Sequence, residues 1–140
     1  MRRPRVLVID SGMGNIGSVV AAFQRQECEP ERVKLPPSDA SAFTHAVLPG
    51  VGSFAAGMEA LIVSGWGSWI QEQWCRAGRP LLGICLGMQL LASEGFEGAA
   101  ADGAVQGLDL IPGQVQRLAG PPGFVLPHVG WNDLKSHAHA

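Results

Sequence analysis

A chain of 140 residues is one domain's worth, long enough to bury roughly two-thirds of its unfolded surface. Ten basic against twelve acidic residues, a net charge of −2, give no electrostatic case for nucleic acid or an anionic membrane, and no apolar run reaches the length of a membrane span. The N-terminus shows no signal-peptide pattern, and Cys28, Cys75 and Cys85 are too widely spaced for a disulfide framework or a metal site, so a reducing cytoplasm is the expected compartment, with no metal or cofactor called for.

Arg5 to Asp10 is a continuous β-rich run, the pattern of a strand buried on both faces of a parallel sheet. Gly12-Met13-Gly14-Asn15 turns the chain, and Ile16 to Gln26 follows with Ile16, Val19, Val20 and Phe23 at helical spacing. The turn lacks the third glycine of a dinucleotide fingerprint and the Lys-Ser/Thr of a phosphate loop, so it reads as a tight βα connection. Arg32 to Leu35 predicts a short strand closed by Pro36-Pro37. His45 to Leu48 predicts another, closed by Pro49-Gly50-Val51-Gly52-Ser53, whose glycines let successive N–H groups line a concavity. Phe54 to Ala77 reads as helix broken at Gly65 or Gly67, with Trp66, Trp69 and Trp74 spaced for packing. Leu81 to Ile84 predicts the next strand and Leu86 to Ala92 the next helix. After Gly95 come a small-residue loop from Gly98 to Gly103 and short extended pieces over 108–113 and 114–117. Strands alternating with helices imply right-handed βαβ units, hence an α/β fold with a doubly wound, mostly parallel sheet. Ligand chemistry on such a sheet sits at the carboxyl ends of the strands, where the turns at 10–15, 49–53 and 83–87 can share one crevice.

The most informative of these turns is Gly83-Ile84-Cys85-Leu86-Gly87. A cysteine at a strand-to-helix turn, flanked by glycines two before and two after, has the setting of a nucleophile elbow with Cys in place of Ser. The glycines are expected to let the backbone turn sharply so that the side chain projects. The sulfur then lies at a helix N-terminus, whose free N–H groups and dipole favour negative charge and can hold an oxyanion. Gln89 follows one helical turn later and either orients substrate or merely covers the helix surface. His128 is a possible general base, yet it stands in a rigid run, Pro127-His128-Val129-Gly130-Trp131-Asn132, that suits a partner contact. His137 and His139 lie too near the end of the sequence to be firmly positioned.

Together these segments resemble the class I (triad-type) glutamine amidotransferases, most closely the HisH family, the glutaminase subunits of imidazole glycerol phosphate synthase. Gly83 to Gln89 is similar to the nucleophile motif of the whole class. Asp10 to Asn15, Pro49 to Phe54, Gly107-Leu108 through Ile111-Pro112-Gly113, and Pro127 to Asn132 are similar to the narrower signatures. The resemblance implies a flavodoxin-like amidotransferase fold over residues 1–140 and no cofactor. It implies that Cys85 attacks the side-chain amide of glutamine, forming a γ-glutamyl thioester and releasing ammonia for histidine biosynthesis. Gly50, Gly52 and Leu86 would stabilise the oxyanion, and Gln89 and Glu97 would contact the substrate. Asn15, His128, Trp131 and Asn132 would face a (β/α)8 cyclase subunit in a heterodimer.

One departure stands out. The family's triad His, followed two residues later by Glu, has no counterpart here, and His137-Ala138-His139 does not match it. Cysteine needs a base to become thiolate and an acid to protonate the leaving amine. The expectation is therefore a single domain incomplete at its C-terminus, catalytically crippled as written. Two other readings remain open: a non-catalytic remnant that keeps the partner surface, and an amidotransferase of another pathway.

Overall fold

The computed structural model describes residues 3–100, 103–120, 123, 125–127, 129–133 and 135. The apolar run at the start becomes β1 (Arg5–Ile9), which pairs in parallel with β2 (Glu29–Val33) on one side and β3 (His45–Gly50) on the other. A fourth parallel strand, β4 (Leu81–Cys85), adds to β3, giving the order β2-β1-β3-β4. Side chains alternate across a strand, and both faces here are apolar. Leu7, Ile9, Ala46 and Leu48 enter one core; Val6, Val8 and Val47 enter a second, with Ile16 and, partly buried, Val19, Val20 and Phe23 of α1 (Ile16–Arg25). The first core is roofed by α2 (Phe54–Val63) and α3 (Trp66–Trp69). Helices on both faces of a parallel sheet in this order make the doubly wound, flavodoxin-like α/β architecture that the alternating elements imply.

The helix between β3 and β4 breaks at Gly65, whose φ of +76° lies in the left-handed region that glycine enters without a Cβ clash. Beyond α3 the chain continues as a π turn, Ile70–Trp74, and a 3-10 turn, Cys75–Ala77. Trp66, Trp69 and Trp74 are buried there. A buried indole N–H needs an acceptor, and each has one: the carbonyls of Lys34 (3.1 Å), Pro37 (3.0 Å) and Pro80 (3.0 Å). These bonds tie the segment after β2 and the approach to β4 onto the same apolar layer.

Two expected elements are displaced. The strand read at Arg32 to Leu35 runs instead from Glu29 to Val33, where half-exposed polar residues and Pro30 obscure the pattern; an edge position tolerates both. The helix read from Leu86 to Ala92 stops after one turn, α4 (Leu86–Gln89). Its carbonyls find other donors: Leu108 donates to Leu90 (2.9 Å), and Leu110 and Ile111 both donate to Leu91 (2.9 Å). The chain therefore turns into a second sheet, ordered β6-β5-β7, of β5 (Ala92–Gly95), β6 (Val105–Gln106) and β7 (Ile111–Val115). Within it, β5 runs parallel to β7 and antiparallel to β6.

Candidate active site

Parallel pairing sets Leu48 opposite Gly83 and Gly50 opposite Cys85, so the two strands end side by side. Three turns meet there. A Cβ built on Gly14 would lie 3.6 Å from the Gly50 Cα, and one on Gly50 would lie 2.8 Å from the Gly87 nitrogen and 3.0 Å from the Leu86 Cβ. Gly52, at φ +126°, has the Met13 Cε so close that a Cβ would fall 2.8 Å from it. The crevice expected between the turns at 10–15, 49–53 and 83–87 is therefore assembled, with Gly50 and Leu86 in direct contact and Gly52 packed on the β1–α1 turn.

The elbow works differently from the sequence expectation. Neither Gly83 nor Gly87 has a positive φ; Cys85 does, at φ +55° and ψ −118°. The glycines serve close approach. A Cβ on Gly83 would lie 2.5 Å from the Met88 Cα and 2.7 Å from its nitrogen, and one on Gly87 would run into the Leu48 carbonyl oxygen. The helical turn thus folds tightly over the strand end, and the backbone reversal falls on the cysteine. A non-glycine residue in so sparsely populated a region costs about 1–3 kcal/mol. That strain projects the side chain outward. Cys85 is exposed, whereas Cys28 and Cys75 are half-buried, and burial pushes the Cys75 thiol pKa up. With only four residues, α4 has little macrodipole; its unpaired first N–H groups are what an anion beside Cys85 meets.

One turn beyond Cys85, half-buried Gln89 borders a cavity of about 510 Å³ that is also lined by Phe96, Glu97, Val115, Gln116 and Arg117. Gln89 and Glu97, paired by the sequence reading, therefore share one wall. Asn15 is exposed, and its Oδ1 accepts a hydrogen bond from the Ser18 N–H (3.2 Å), capping α1. Trp131 and Asn132 are exposed on the segment after β7, outside the group that the strand register brings together. His128, His137 and His139 lie outside the described residues.

Sequence reasoning missed Asp10. The Asp10 carboxylate is buried, accepting from the Gly12 N–H (3.2 Å) and from the Arg32 Nε (2.7 Å). It anchors the turn that carries Met13 and Gly14 onto the 49–52 segment. An acid closing an otherwise apolar strand is the signal that marks it.

Residues 7–115 match the model of the family described as glutamine amidotransferase class-I. The chain belongs to the class-I glutamine amidotransferase family. Among amidotransferase relatives, it is 54% identical over 129 residues to imidazole glycerol phosphate synthase subunit HisH 1 of Prochlorococcus marinus, covering 92% of this chain and 60% of that protein. It is 45% identical over 130 residues to subunit HisH of Moorella thermoacetica (93% and 58%), and 42% identical over 130 residues to subunit HisH of Streptococcus sanguinis (93% and 60%). The chain thus spans about three-fifths of the length of these curated relatives.

Proposed function

We propose that this chain carries the nucleophile and oxyanion-binding part of a glutaminase that acts as a subunit of imidazole glycerol phosphate synthase. The observation that carries this reading is the strained, exposed Cys85 held opposite Gly50 where three turns touch. Its thiolate attacks the side-chain amide carbon of glutamine, a C–S bond forms, and the carbonyl π electrons move to oxygen. The Leu86 N–H and the backbone of the Gly50–Gly52 turn receive that charge. Collapse of the tetrahedral intermediate breaks the C–N bond, and ammonia leaves on taking up a proton. Water then cleaves the γ-glutamyl thioester to glutamate and restores the thiol. The resemblance assigns the proton transfers to a His-x-Glu pair, a spacing the 140 residues do not contain, so no residue here is given that role.

Gln89 and Glu97 orient the α-amino acid end of glutamine from the adjoining cavity. Ammonia passes to a (β/α)8 cyclase subunit, docked in a cytoplasmic heterodimer on the surface that includes Asn15, His128, Trp131 and Asn132. Similarity to HisH subunits over more than nine-tenths of the chain supports this partner over others.

The test is covalent trapping with 6-diazo-5-oxo-L-norleucine, a glutamine-shaped diazoketone. The cysteine sulfur bonds to the diazo carbon, dinitrogen leaves, and the thiol proton ends on that carbon. A single adduct on the Cys85 peptide, suppressed by excess glutamine, is the expected result. Adduct formation indifferent to glutamine, or none above a Cys85→Ala control, overturns the proposal and favours a non-catalytic module.

A further inference from the structure

We infer that the carboxyl ends of β1 and β2 hold a second site, which binds the phosphate group of a small monoester through Arg32 and Lys34. The inference goes beyond the glutaminase reading and does not depend on it. A cavity of about 330 Å³ lies there, lined by Asp10, Ser11, Gly12, Arg32, Lys34 and Ser64. None of these residues belongs to the turns at 49–53 and 83–87, and β1 stands between β2 and the β3–β4 pair that carries Cys85. The carboxyl ends of parallel strands are where α/β sheets receive ligands. A Cβ built on Gly12 would meet nothing within 4 Å, so the approach over that turn is open.

Both cations are placed before any ligand arrives. The Asp10 N–H donates to the Val33 carbonyl (2.9 Å), so the pairing of β1 with β2 runs up to the cavity. The buried Asp10 carboxylate accepts from the Arg32 Nε (2.7 Å), and among the described residues the terminal Nη groups make no other hydrogen bond. A guanidinium held by its Nε offers those remaining donors in a fixed plane, with less freedom to lose on binding. The Lys34 carbonyl accepts from the Trp66 Nε1 (3.1 Å), which pins its backbone, while its exposed ammonium has no ion-pair partner among the described residues. Asp10 offsets one of the two positive charges, and the single excess charge calls for an anion. Shape selects the anion. A planar carboxylate matches one fork of donors, whereas a tetrahedral phosphate has further oxygens for Lys34 and the half-buried Ser11 hydroxyl. The Ser64 hydroxyl already donates to the Ala60 carbonyl (2.6 Å), so it adds no proton. The volume is at the lower end for ligand pockets yet larger than a bare phosphate, leaving room for a small organic group.

The experiment titrates the full, isotope-labelled chain with methyl phosphate, inorganic phosphate and sulfate at constant ionic strength and mildly alkaline pH, where all three are dianions. NMR follows the backbone amides and the Arg32 Nε–H. Methyl phosphate should give saturable shifts confined to Ser11, Gly12, Arg32, Lys34 and their neighbours. Lys34→Gln, an exposed change that leaves the Asp10 pair in place, should weaken binding about fivefold, the scale of one solvent-open ionic contact, and Lys34→Arg should restore most of it. Arg32→Lys keeps the charge but loses the planar donors, and should weaken binding as well; should it fail to fold, Lys34→Gln alone decides. Shifts that never saturate, or that persist unchanged in Lys34→Gln, overturn the site. Sulfate binding as well as methyl phosphate would mean an adventitious ion only, and inorganic phosphate binding more tightly than the ester would make the free ion the ligand; either overturns the monoester assignment. No readout here involves Cys85, so failure leaves the glutaminase reading standing.

Discussion

Replacing Cys85 by glycine is expected to stabilise the chain while removing its nucleophile. At φ +55° and ψ −118° the cysteine Cβ is held in a region that L-residues rarely adopt, at a cost of about 1–3 kcal/mol. Glycine removes that cost but makes the unfolded chain more flexible, returning about 0.5–1 kcal/mol. Little is lost with the side chain, because Cys85 is exposed. The net gain should be about 1 kcal/mol, a rise in Tm of about 3–4 °C for a chain of this size. Cys85→Ala is the decisive comparison, since it deletes the sulfur yet keeps the Cβ and the strain. At an ordinary strand or helix position Gly is the less stable of the two; here the order should invert. Calorimetry or urea unfolding of the two purified variants reads the sign. Should Cys85→Gly unfold at or below Cys85→Ala, the backbone at residue 85 is not strained as described, and the account of the elbow fails.

Gly83→Ala should act in the opposite direction: its Cβ would sit 2.5 Å from the Met88 Cα, against 3.4 Å or more for an ordinary contact, so α4 must lift from β4. A loss of about 2–3 kcal/mol in urea unfolding is expected, with slower trapping of Cys85 by the diazoketone; a loss under about 0.5 kcal/mol would contradict the close approach. Asp10→Ala leaves the Gly12 N–H and Arg32 without their acceptor and should cost about 1–2 kcal/mol, the exposure of Arg32 (54%) keeping the ion-pair share small; denaturant midpoints decide it. In iodoacetamide labelling read by peptide mass spectrometry, Cys85 should react first and Cys75 last. A raised thiol pKa leaves less thiolate at mildly alkaline pH, so Cys75 should catch up only as pH rises through its displaced value. Labelling of Cys75 ahead of Cys85 would contradict the burial pattern.

What could be read in the residues was whatever leaves a local imprint. Val6 to Ile9 is apolar without alternation because both its faces are covered, and Ile16 to Phe23 has helical spacing because one side meets the sheet. The elbow was legible because Gly83 and Gly87 permit contacts that no other residue permits. Which residue carries the reversal was not, since φ at Cys85 is imposed by the packing of α4 on β4 and not by the cysteine's own preference. β2 hid behind the polar residues of an edge strand. The early end of α4 was decided by donors from residues 108, 110 and 111, nearly twenty positions downstream.

The four tryptophans divide the molecule's fluorescence into two colours. Three indoles donate to carbonyls in a layer that water does not reach, so their emission lies to the blue and is shielded from iodide, whereas Trp131 stands wholly in solvent and emits to the red, open to quenching. The unmodified chain therefore carries two separable signals: anything that covered Trp131 would shift and protect the red component alone, while unfolding would redden the other three.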